Sequence, residues 1–343
     1  MKNYIKNGLI IVNKPKGLTS HDVIEEIRNF FPKIKVGHTG TLDPLASGVL
    51  LVCIGKATKL SQILIKYSKE YVAEIELGYE TDTLDSSGEI VKKISKNKLN
   101  KILKNIRNNK IKDKNEILSD QNFIKSSYIN LEKVLTKFVG EINQIPPIYS
   151  AIKFKGEELY KIARRRERVK IKPRKVKIYK IQLIEKIKKD ILKIKVICSS
   201  GTYIRALTRD IGRYLGTYAT LTNLIRTRIR NYKIENSYKL EQLKNLVLEE
   251  RISEAIIPIS DILRGYKKVK IKDSYKKNIE NGAILSINMI KNIPFRCGNG
   301  KKLLLYSEKN EILGLYKTYR NINFYNTESS SNIEVAKAWI MLN

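Results

Sequence analysis

The chain has 343 residues, 42% of them hydrophobic, a size that allows about two domains, each with its own core, and excludes a disordered polypeptide. Lys+Arg 67 against Asp+Glu 34 leave a formal net charge of +33, which suits a polyanion, nucleic acid above all, unless it only mirrors a Lys-rich proteome. Cys53, Cys198 and Cys297 are odd in number and lack C-x-x-C spacing, and His21 and His38 are the only histidines, so neither a disulfide framework nor a zinc site is expected.

In chain order, Leu9 to Val12 reads as a short strand that meets a forced turn at Asn13-Lys14-Pro15-Lys16-Gly17, placing Lys14 on a loop. Thr19 or Ser20 caps a helix carrying Val23, Ile24, Ile27 and Phe30 at helical spacing. The window Val36 to Leu50, VGHTGTLDPLASGVL, breaks with the Lys, Ile and Asn around it. Gly37 and Gly40 permit an irregular backbone and Asp43-Pro44 opens a turn, so Asp43 sits on a loop ahead of a buried strand, Val49 to Ile54. On residue types alone, Asp43 is either a turn cap or a functional carboxylate.

Lys56 to Tyr67 has one apolar helical face, and the alternation Tyr71, Ala73, Ile75, Leu77 predicts a half-buried strand. A polar turn, Gly78 to Gly88, follows. Residues 92–130 are Lys/Asn-rich with weak periodicity and read as an exposed, partly helical insertion, either a neutral surface expansion or a source of phosphate contacts. Helical spacing resumes at Leu131, Val134, Leu135 and Phe138. The prolines of Gln144-Ile145-Pro146-Pro147-Ile148-Tyr149-Ser150-Ala151 stiffen the backbone, and a helix over Gly156 to Arg166 ends in three arginines. Strands are expected at Arg174 to Lys186 and Ile191 to Cys198. Thr202 then caps a helix with Arg205 at its third position, where a cation is disfavoured unless a carboxylate partners it. Ala219 to Ile229 follows this helix. Beyond a boundary at Arg264-Gly265, short strands at Val269 to Ile271, Leu303 to Tyr306 and Ile312 to Tyr316 mark a smaller unit, with Trp339 as a core anchor.

Five of these stretches together, GHTGTLDPLASGVL, K-P-x-G, K-x-Y-x-A, Q-x-P-P-x-Y-S-A-x-K and G-T-Y-I-R, resemble the TruB family of tRNA pseudouridine synthases from about Leu9 to Arg230. The resemblance implies an α+β fold: a pseudouridine synthase sheet, mixed and mainly antiparallel, flanked by helices over 1–263, plus a PUA-like RNA-binding domain over 264–343. It makes Asp43 the catalytic residue, paired with Arg205, and places Tyr71 against the target base. His38 then fills the space that the extruded base leaves or serves as an acid/base. Lys14 supports the site or an RNA phosphate, and Tyr203 and Leu224 bind the substrate nucleotide. The implied reaction is isomerisation of uridine 55 in the T-loop of tRNA by a monomer, without metal or other cofactor. Two departures stand out: Ile225 separates Leu224 from the following arginine, and no His lies near Thr220.

Two alternatives belong to other classes. One is a non-catalytic tRNA-binding or folding factor. The other is a phosphoryl-transfer enzyme, suggested by Thr39-Gly40-Thr41-Leu42, but the position that its nucleophilic Asp would need is Gly37, and no GxxxxGK[ST] occurs. No apolar run approaches the roughly 20 residues of a membrane span and the N-terminus lacks a signal-peptide pattern, so a cytoplasmic location is expected.

Overall fold

The structure is a computed structural model that describes residues 7–106, 130–167, 169–188, 190–292, 297–321 and 333–342. Eight strands carry the first sheet's framework: β1 (Gly8–Lys14), β2 (Val36–His38), β3 (Ser47–Ile54), β4 (Lys69–Leu77), β5 (Gly140–Gln144), β6 (Arg174–Lys186), β7 (Ile191–Cys198) and β8 (Ala219–Ile229). The main path runs β1-β3-β8-β4-β7-β6-β5. Neighbours along it are antiparallel except β3 and β8, which meet in parallel at Ile225↔Ser47 and Arg226↔Gly48. The sheet is therefore mixed and mainly antiparallel, as expected.

Strand alternation decides what each face touches. Tyr71, Ala73, Ile75 and Leu77 of β4 point to one face, where they pack with Ile204, Leu207 and Ile211 of helix α2 (Ile204–Tyr214). Under β1 and β3, Ile10, Val12, Leu50 and Val52 pack on Val23, Ile24 and Ile27 of helix α1 (Ser20–Phe30), whose start is fixed by a Thr19/Asp22 capping box. The opposite side of the same two strands, Leu9, Ile11, Val49 and Leu51, shares a core with Leu304, Leu315, Ile340 and Leu342 of a second, six-stranded sheet. That sheet contains Lys267–Ile271, Lys302–Tyr306, Ile312–Thr318 and Glu334–Met341.

Several expectations are revised. Lys56 to Tyr67 forms a 3-10 turn, Gly55–Leu60, and one short helix, Ser61–Leu64. The helix expected over Gly156 to Arg166 is confined to Leu159–Arg164, behind a two-residue hairpin. The stretch 92–130 is not wholly a surface expansion: its helix Lys96–Asn105 is amphipathic, and Leu103 is buried in the α2 core with Leu99 and Ile102 against it. Residues 107–129 of that expectation lie outside the described residues. Trp339 is only partly buried and packs on the core shared by the two sheets.

Candidate active site

Asp43 lies on the loop between β2 and β3, where the Ala46 amide donates to the Asp43 carbonyl at 3.0 Å and closes the expected turn. The loop is fastened on three sides. The Gly17 amide donates to the Pro44 carbonyl at 2.8 Å. Ser20 Oγ accepts from the Leu42 amide at 2.8 Å and donates to its carbonyl at 3.2 Å. Arg226, on β8 and 1% exposed, donates to the carbonyls of Val49 (2.7 Å), Thr41 (3.1 Å) and Gly40 (3.3 Å). Gly48 is required beside it: at φ +104 a Cβ would stand 2.3 Å from the Arg226 carbonyl oxygen, closer than any side chain tolerates.

Arg205 enters from α2, which starts one residue later than a Thr202 cap would give, because Tyr203 is the N-cap; Arg205 is therefore the second helical residue and not the third. Its Nε stands 2.8 Å from Asp43 Oδ2 and 3.7 Å from Asp85 Oδ2. The approach to Asp43 is an ion-pair contact, and among the described residues Nε makes no formed hydrogen bond. Nη1 and Nη2 donate to the carbonyls of Thr83 (3.0 Å) and Tyr149 (2.9 Å), so the guanidinium is locked while the Asp43 side chain stays 38% exposed.

Both residues line a cleft of about 410 Å³, together with Tyr71, His38, Tyr203 and Leu224. Tyr71 is 8% exposed; burial pushes its phenol pKa up, and the neighbouring Arg226 charge pulls the other way. Arg226 is the cross-strand partner of Tyr71 on β8. His38 Nδ1 accepts the Gly40 amide at 3.3 Å, leaving its ring proton on Nε2, and burial followed by the Arg226 and His21 charges lowers its pKa. Gln144, from the Q-x-P-P element, binds both the amide (2.9 Å) and the carbonyl (3.1 Å) of Tyr203.

Lys14 is placed otherwise than the loop expectation had it. It ends β1 on the same face as Ile10 and Val12, is fully buried, and donates to the carbonyls of Pro15 and Leu18. Its ammonium does not border the cleft; burial, opposed in part by Asp43, lowers its pKa to about 8. The cleft instead holds two cations that sequence reasoning passed over, Arg226 and Lys69. Lys69 donates to the carbonyls of Ile65 (2.5 Å) and Tyr67 (2.8 Å), and burial lowers its pKa to about 8. One signal was available: strand parity puts Arg226 on the face of Leu224, and Lys69 on that of Tyr71. Asp43 is the one carboxylate among the cleft-lining residues, against Arg205, Arg226 and Lys69. Among the described residues no cluster of three His, Cys, Asp or Glu could hold a metal, and no helix is long and apolar enough to cross a membrane.

The fold defines the class. The chain is similar over 99% of its length to the archaeal box H/ACA sRNP Nop10-Cbf5 complex, with TM-score 0.64 and 25% identity over 87% of that chain, and equally to an H/ACA RNP bound to a substrate RNA containing 2'-deoxyuridine, with TM-score 0.63. This is the pseudouridine synthase fold. Profiles described as TruB family pseudouridylate synthase (N terminal domain) and tRNA pseudouridylate synthase B C-terminal domain match residues 28–113 with 106–204, and 205–264. Proteins named tRNA pseudouridine synthase B are 43% identical in Francisella tularensis subsp. tularensis (strain WY96-3418), over 72% of this chain and 73% of the relative, and 42% in subsp. holarctica (strain FTNF002-00 / FTA), over 80% and 83%. The chain belongs to the TruB family of pseudouridine synthases.

Proposed function

We propose that the chain isomerises uridine 55 in the T-loop of tRNA to pseudouridine, with Asp43 as the reacting carboxylate. Isomerisation of uridine in tRNA is the activity of its family; the position within tRNA and the role of each residue are our own reading. The C1′–N1 bond breaks, the base turns, and C1′ bonds to C5; N1 gains the proton that C5 loses, so nothing is oxidised. The step needs a negative group facing the sugar as C1′ becomes electron-poor, either as nucleophile or as base. The observation that carries the reading is Arg205 Nε at 2.8 Å from Asp43 in a cleft shared with Tyr71.

A stacked uridine must leave its loop to reach this carboxylate, at a cost of a few kcal/mol. Stacking on Tyr71 returns roughly 1–3 kcal/mol of this, and His38 at the mouth occupies the vacated space. Leu224 and Tyr203 wall the base. Arg226 and Lys69, which donate to neutral carbonyls, make the floor positive, which favours a phosphodiester strand above it. We assign the chain to the cytoplasm as a monomer, with the second sheet as an RNA-binding unit over 264–343. The decisive experiment is Asp43→Asn on a tRNA transcript. Pseudouridine formation is lost while tRNA binding stays within threefold; retained turnover refutes the assignment, and a binding-only protein would show no turnover in the parent either.

A further inference from the structure

A second concavity of about 470 Å³ lies away from the cleft, lined by Lys93, Ile94, Ser95, Lys98, Arg213, Gly216 and Tyr218. Helix α2 joins the two places. Arg205, Arg209 and Arg213 recur every fourth residue and so share one side of the helix, with Arg205 in the cleft and Arg213 about 12 Å further along the axis. Each is matched by a different partner: Asp43 for Arg205, Asp210 for Arg209 at 2.9 Å, and Glu80 for Arg213 through two bonds of 2.9 and 2.6 Å. Glu80 is 5% exposed, and Lys92, lying over the Tyr218 ring at 5.6 Å, reaches the same carboxylate at 3.6 Å. Glu80 thus already serves two cations. Among the described residues no carboxylate pairs with Lys93 or Lys98, both exposed, so of the three cations that line the concavity only Arg213 has acids acting on it, Glu80 in contact and Asp210 from further off. Such an imbalance around a concave site favours an anion.

One wall of this concavity is the helix Lys96–Asn105, which carries Lys98 and which Leu103 anchors to the core. We propose that this pocket holds a phosphodiester of the RNA substrate, a second grip apart from the catalytic cleft that the helix Lys96–Asn105 completes. The proposal rests on the reading of the chain as acting on RNA. Lys93 and Lys98 provide mobile point charges, while Arg213, fixed by Glu80, keeps the floor positive.

The test is the double variant Lys93→Ala/Lys98→Ala, compared with Lys233→Ala/Lys239→Ala, which removes the same charge from positions outside the concavity. Affinity for a full-length tRNA transcript is measured by filter binding from 50 to 200 mM salt. Loss of two phosphate contacts lowers affinity by roughly tenfold at the low-salt end and makes the salt slope shallower by about 1 to 2, with kcat at saturating tRNA unchanged and the control pair within twofold of the parent. Equal losses in the two pairs, or none in the first, overturn the proposal, because the pocket is then only part of a diffuse positive surface. Charge reversal, Lys93→Glu/Lys98→Glu, deepens the defect if the pocket binds RNA and leaves affinity unchanged if it does not. Pseudouridine formation is scored separately, so its absence in the parent strikes the proposed activity and leaves the pocket to the binding data.

Discussion

Arg226→Met isolates what the buried arginine contributes to the Asp43 loop. Methionine approximates its volume but donates nothing, and it orphans carbonyls on both flanks of Asp43: Gly40 and Thr41 before it, Val49 after it. Of the three bonds, those of 2.7 and 3.1 Å lie within the normal range and the 3.3 Å contact does not. Two bonds from a charged donor amount to about 3–6 kcal/mol. The variant also relieves the burial of a guanidinium that no carboxylate among the described residues pairs with, which opposes this loss, so a net destabilisation of about 2–4 kcal/mol is expected in urea. Turnover falls further than stability implies, because a carboxylate displaced by ~1 Å loses on the order of 100-fold in rate. Single-turnover pseudouridine formation, at a temperature where the variant is folded, measures that directly, with filter binding as control. Arg226→Lys reaches only some of the carbonyls and falls between parent and Met. A folded Met variant with turnover within threefold of the parent would show that the loop holds its shape without the arginine.

Tyr71→Phe keeps the ring packed against the β4 face and removes only the hydroxyl, so turnover drops more than the melting temperature; a melting loss as large as the activity loss makes Tyr71 a core residue and no more. Gly48→Ala meets both a left-handed φ and the Arg226 backbone, and destabilises by roughly 3 kcal/mol or more; an Ala variant with the parent's urea midpoint contradicts that geometry. Burial lowers the pKa values of Lys14 and Lys69 to about 8 in the folded chain, against 10.5 for an ordinary lysine. Between those limits the unfolded chain binds more protons, so stability rises as pH climbs from about 8 toward 10.5 and is lost again as pH falls through 8. Urea titrations across that window show the rise in the parent and its loss in Lys14→Met/Lys69→Met; an identical profile in the variant places the titration elsewhere.

The β6 and β7 bounds, Arg174–Lys186 and Ile191–Cys198, are legible residue for residue, because a sheet with one face packed and one open writes a period of two into the chain. Asp43 and Arg205 were also legible, through a composition break in one case and in the other through a cation at a helix end that disfavours it. Arg226 was hidden by its type: arginine counts as a surface residue until the strand's parity is followed from Leu224, and the missing adjacent arginine drew attention to Ile225 instead. Lys14 was misplaced because Pro15 and Gly17 signal a turn, but not that the turn folds back over the preceding side chain. Helix within 92–130 is legible, but its burial is not, since the Lys and Asn content of Lys96–Asn105 masks an apolar stripe of Leu99, Ile102 and Leu103.

The core shared by the two sheets has a consequence for truncation. Leu304, Leu315, Ile340 and Leu342 cover the side of β1 and β3 that α1 leaves bare, and β3 begins where the Asp43 loop ends. Removing residues after Leu263 would strip part of the backing from the strand that follows the Asp43 loop and expose apolar surface of a cluster that Leu60 and Leu64 cover only in part, so a shortened enzyme should precipitate before its RNA affinity is ever measured.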